Sequence, residues 1–141
     1  MNNPSVALQT AYYTALTSPA LTVGGNTIPV YSDMAQNSAT NYIVLGQQTI
    51  VDDADKEAFG SQMTQSVTVV TTFDSDIGGK KLSSQIADAV MQRIRTRARL
   101  ALTGFNMITS TLDSYVTISE KTSTTTVIRA ELRFRHIIEQ V

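Results

Sequence analysis

From Thr124 to Glu139 the chain alternates with a period of two. Ile128, Ala130, Leu132, Phe134 and Ile138 fall on one side, and Arg129, Glu131, Arg133 and Arg135 on the other. That period belongs to a strand with one face in a core and one in water, not to a helix, whose apolar positions recur every three or four residues. Such a strand needs neighbours to pair with and a layer over its apolar face.

Three other segments read as long strands. In Asn41–Val51, Ile43, Leu45, Gln47, Thr49 and Val51 face one way, and Tyr42, Val44, Gly46, Gln48 and Ile50 the other. From Ser61 to Phe73, Met63, Val67, Val69 and Phe73 share a face opposite Thr64, Ser66, Thr68 and Thr72, and the Val and Thr content favours a strand. A polar stretch, Asp52 to Gly60, joins these two into a long-armed hairpin. Ile108–Lys121 alternates loosely around Leu112, Val116 and Ile118, with a turn at Lys121–Thr124 before the last strand. Near the N-terminus, Leu21–Val23 and Thr27–Tyr31 flank Gly24-Gly25-Asn26 as a small hairpin, and Pro29, which has no amide to donate, assigns its arm to a sheet edge.

Two helices complete the pattern. Asn3-Pro4 can open the first, Leu8, Ala11/Tyr12 and Ala15/Leu16 form its stripe, and Ser18-Pro19 ends it. The second spans Lys80 to Leu102 with Leu82, Ile86, Ala89/Val90 and Ile94 inward, and Gly104 is its predicted stop. The expected fold is α+β: a mainly antiparallel sheet of about four long strands, two helices packed on one face, and a small N-terminal hairpin. One domain over 1–141 is expected, since a chain this long buries enough surface for a single core.

Composition narrows the function. A net charge of −1 disfavours a free-standing nucleic-acid binder, which needs a basic excess to neutralise phosphates. Charged residues are 16% of the chain, against about 25% in typical globular proteins; the difference is made up by Ser and Thr. There is no cysteine, so disulfides and thiolate metal sites are excluded. No apolar run approaches the roughly 20 residues of a membrane helix. Met1-Asn2-Asn3-Pro4 has no secretory signal pattern, so a soluble intracellular protein is expected.

Catalytic patterns are thin. His136 is the only histidine and lies in the inward register of the last strand, where a packed or edge-hydrogen-bonded ring is the expectation. Gly78-Gly79-Lys80 lacks the first glycine and the Ser or Thr of a phosphate loop, with Asp74 and Lys81 in those places. Asp52, Asp53, Asp55 and Glu57 lack calcium-loop spacing. No cofactor is implied. Arg93, Arg95, Arg97 and Arg99 form the one basic cluster, spread around a helix end where cations suit the dipole. A solvated helix end and a subunit or DNA contact both fit them.

Across nearly the whole chain, the order of these pieces resembles the tail-completion (tail terminator, head-tail joining) proteins of siphophages. The resemblance is carried by Pro4-Ser5-Val6-Ala7-Leu8 through Leu16, Tyr42-Ile43-Val44-Leu45-Gly46, Val67-Thr68-Val69-Val70, the helix Leu82 to Ile94, and Leu132-Arg133-Phe134-Arg135. It implies a structural virion protein, assembled in the host cytoplasm and placed at the head-proximal end of the tail. There a homo-oligomeric ring, usually sixfold, would halt tube growth, contact the tail tube protein and a head-completion or neck protein, and pass DNA through its lumen without reading sequence.

No membrane contact and no enzymatic activity are implied. Two surfaces are the candidate assembly interface: the arm Asp52, Asp53, Asp55, Lys56, Glu57 and Phe59, with Phe59 as apolar anchor, and the outward row Arg129, Glu131, Arg133 and Arg135. For that row a plain solvated sheet face is the other reading. Another neck or tail-tube role, and a small ligand-binding module or enzyme, are the rival functions.

Overall fold

The computed structural model describes residues 3–32, 40–52, 60–74, 80–95 and 100–141. Helix α1 covers Ser5–Thr17; Pro4 holds the cap position rather than the first helical one, and Asn3 Oδ1 accepts the Ser5 amide at 3.0 Å. Leu8, Ala11, Tyr12, Ala15 and Leu16, the predicted stripe, are all buried. A cis Ser18-Pro19 bond follows.

The N-terminal hairpin is smaller than expected. Strands β1 (Thr22–Val23) and β2 (Asn26–Thr27) pair around Gly24 and Gly25, whose φ of 62° and 82° only glycine adopts without strain. The predicted second arm then divides. Val30–Ser32 (β3) leaves the hairpin and pairs in parallel with β4 (Asn41–Asp52), Val30 opposite Ile43 and Ser32 opposite Leu45. Pro29 cannot extend the hairpin ladder, its carbonyl instead accepts the Ile43 amide at 2.9 Å, and Val30 enters the core.

The main sheet therefore has five strands rather than four, in the order β3-β4-β5-β7-β6, where β5 is Gly60–Asp74, β6 is Phe105–Lys121 and β7 is Thr125–Gln140. All pairings except β3 with β4 are antiparallel. The two long hairpins, β4–β5 and β6–β7, join along β5 and β7, from Gly60 opposite Glu139 to Asp74 opposite Thr125. Helix α2 (Lys80–Arg95) carries the chain past β5 to the far edge, leaving the slot that β7 fills. That slot suits β7, whose inward residues Ile128, Ala130, Leu132, Phe134, His136 and Ile138 are all buried.

Three irregularities overturn simple alternation. One extra residue between Leu45 and Gln48 puts Gln48 on the side of Leu45, so the predicted run Ile43, Leu45, Gln47, Thr49, Val51 does not share one face. Register shifts also fall between Met107 and Thr109 and between Leu112 and Ser114. The second sends Val116 and Ile118 to the face opposite Leu112, where they pair with Glu131 and Arg129.

Helix α2 buries Ile86, Val90 and Ile94 as expected but does not continue to Leu102. Leu102 instead bridges to Phe105 around Gly104, whose φ is 82°. Leu100 and Leu102 are both buried, a spacing of two that an extended segment satisfies and a helix does not. Both helices cover one face of the sheet, and the core lies between.

Candidate functional site

The histidine is a core element. His136 is fully buried, and its Nε2 is hydrogen-bonded to the hydroxyl of Tyr12 from α1. Its ring stacks on Phe134, with centroids 6.5 Å apart, and meets Tyr12 edge-on at 5.5 Å. Burial pushes the Tyr12 hydroxyl well above its usual pKa and lowers that of His136 to about 4. Both are neutral at pH 7. His136 Nδ1 has no partner, nor does Oγ of its cross-strand neighbour Ser110. A neutral ring sealed beneath a helix can tie α1 to β7, but solvent-borne substrate does not reach it. Among the described residues no cluster of His, Asp and Glu is arranged to hold a metal, and no helix is long and apolar enough to cross a membrane.

Arg129, Glu131, Arg133 and Arg135 line the sheet face away from the helices, as the alternation predicts. Two of them are paired: Arg129 Nη1 with Glu120 Oε1 at 2.6 Å, and Arg135 Nη2 with Asp113 Oδ2 at 3.3 Å. Arg133 and Glu131 are exposed. Hydroxyls from the flanking strands surround one end of the row, where Arg135 pairs with Thr64 and Thr111 and Arg133 with Ser66 and Ser114, whereas Glu131 stands between Thr68 and Val116 and Arg129 between Val70 and Ile118. The face is thus charge-balanced, without a basic stripe, and carries the exposed Val116 and Ile118 on β6.

Asp52 closes β4, opposite Ser61. The rest of the arm, Asp53, Asp55, Lys56, Glu57 and Phe59, lies outside the described residues, as do Arg97, Arg99 and the side chain of Arg95. Arg93 turns inward. Its Nη1 donates to the carbonyls of Ala15, at 3.2 Å, and Pro19, and Nη2 donates to Ala20 at 3.4 Å. It thereby satisfies carbonyls where α1 ends. Nothing in the sequence pairs residue 93 with that turn; only the packing of α2 on α1 does.

The family model described as "Tail completion protein gp17" matches residues 10–139. The chain belongs to this family. Tail completion proteins are structural components of phage tails, so the place of this chain is the virion tail, in the tail or neck region. A solved structure described as the virion of a native gene transfer agent particle contains a chain of the same fold, with a TM-score of 0.76 and 21% identity over 99% of each chain. No curated protein matches.

Proposed function

We propose that this tail completion protein is a terminator subunit: copies form a ring, six in number, on the head-proximal end of the tail tube. The ring halts tube polymerisation and offers the surface to which a head-completion or neck protein joins. The observation that carries this reading is the family match across nearly the entire chain. The net charge of −1 and the charge-balanced open face support a role that lets DNA pass without reading it, because sequence-independent grip would need a basic excess. The protein is not an enzyme in this reading, and residues 1–141 act as one ring-forming domain.

The arm Asp52, Asp53, Asp55, Lys56, Glu57 and Phe59 makes a tube or inter-subunit contact, and the row Arg129, Glu131, Arg133 and Arg135 is a second docking surface, with Arg95, Arg97 and Arg99 available to a partner or to the passing DNA. Phe59→Ala should weaken assembly and leave the folded monomer intact; assembly at the wild-type level would remove Phe59 from the contact.

Negative-stain microscopy of the protein mixed with tail tubes tests the whole reading. One ring or cap per tube end is the expected image. Stacked rings along the tube would make the chain a tube component, and bare tube ends would sink the terminator role.

A further inference from the structure

On the helix-covered side of the sheet, the first half of β6 presents Met107, Ser110 and Leu112, which stand opposite Ile138, His136 and Phe134 of β7. Apolar residues face apolar ones at both ends of this stretch, and between them a hydroxyl faces an imidazole. The register shift at Ile108 sets this order. Without the extra residue, strict alternation from Met107 would turn Thr109 and Thr111 inward and Leu112 out.

His136 Nδ1 and Ser110 Oγ are both closed off from solvent, and neither has a hydrogen-bond partner within the chain. Buried polar atoms are rarely left so, and an ordered water is the usual partner where the protein offers none.

The other ring nitrogen decides what Nδ1 carries. Among the described residues, the partner of the buried Tyr12 hydroxyl is His136 Nε2. A hydrogen on Nε2 would make that hydroxyl the acceptor and leave its own O–H without one. When Tyr12 donates instead, its proton is used and the neutral ring keeps its hydrogen on Nδ1. Nδ1 is then a donor, facing a hydroxyl that can accept or donate.

We infer that one buried water molecule bridges His136 Nδ1 and Ser110 Oγ. It completes a polar relay, Tyr12–His136–water–Ser110, which ties α1 to β7 and β7 to the edge strand β6. Directly opposed residues of antiparallel strands hold their Cβ atoms about 4.5–5.5 Å apart. Oγ is one bond from its Cβ and Nδ1 two bonds from its own. Two such atoms that do not bond each other are still within the span of a single water, which accepts from Nδ1–H and donates to Oγ.

A high-resolution crystal structure of the full chain tests this directly. One peak of density should lie about 2.7–3.2 Å from both Nδ1 and Oγ. No peak there, or Oγ turned to bond Nδ1 itself, would overturn the inference. Ser110→Ala removes one end of the bridge at the sheet edge and should remove the peak; a peak that persists would show that Ser110 does not hold it, and would overturn the bridge.

The tautomer supplies an independent readout that needs no variant. His136 is the only histidine, so long-range proton–nitrogen NMR spectra give one set of ring signals. At pH 7 they should place the hydrogen on Nδ1, and a hydrogen on Nε2 would overturn the relay. None of these results bears on the ring reading, which stands or falls by the tube-capping images.

Discussion

At the scale of single residues, the interior is decided by a few polar side chains that face the core. Tyr12→Phe removes the hydroxyl bonded to His136 Nε2 and leaves a second ring nitrogen unpaired. The expected loss is about 1–3 kcal/mol of unfolding free energy, read by urea titration. His136 also sets a pH dependence. The unfolded chain takes up a proton near pH 6.5, the folded chain only near 4. Stability is therefore full above about pH 6.5 and declines as pH falls from there towards 4, by about 3 kcal/mol at ~1.4 kcal/mol per unit. Denaturant titrations between pH 7 and 5 should show this slope, and His136→Phe should flatten it. The inward direction of His136 was legible in the alternation of its strand. Its partner was not, because Tyr12 stands 124 residues away and meets it only when α1 packs on β7.

At the scale of elements, the periodic patterns located the helices and long strands, and the irregularities escaped them. The bulge after Leu45 shows why. Gln65 is buried on β5, accepts from Gln48 Nε2 at 2.7 Å, and donates to the Gly46 carbonyl at 3.1 Å. The Gly46 carbonyl is thus satisfied by a side chain from the neighbouring strand, a relation no local pattern encodes. Gln65→Leu should cost about 1–3 kcal/mol by stranding that carbonyl and the Gln48 amide, measured as a lower urea midpoint.

The turn at Gly104 makes a cleaner test. A Cβ there would meet nothing within 4 Å, so Gly104→Ala should cost only the strain of a positive φ, about 1–2 kcal/mol by the same measurement. A glycine after a helical stripe reads as a helix stop, but here burial of Leu100 and Leu102 straightens the chain first.

At the scale of the whole molecule, the open face of the sheet carries balanced charges, with the exposed Val116 and Ile118 of β6 among them. If apolar contacts join the subunits of the proposed ring, burial of apolar area drives assembly and charge contributes little. Rings should then persist as sodium chloride is raised, since screening weakens only ionic contacts, and ammonium sulfate should favour them. Dissociation in moderate sodium chloride, followed by light scattering, would point to the arginine row or the arm as the main contact.

Local periodicity and the order of segments were enough to give the fold class, the succession of helices and long strands, the inward rows of α1, α2 and β7, and the family resemblance. Tertiary structure alone decided that Val30–Ser32 becomes a fifth, parallel strand, that β7 takes the slot between β5 and β6, and that Arg93 reaches the end of α1. It also decided that Val116 and Ile118 turn away from the core. The physical reason is common to all four. Strand order, bulges and side-chain-to-backbone bonds are settled by which distant backbone groups and apolar surfaces must be satisfied together, and that requirement appears only when the layers meet.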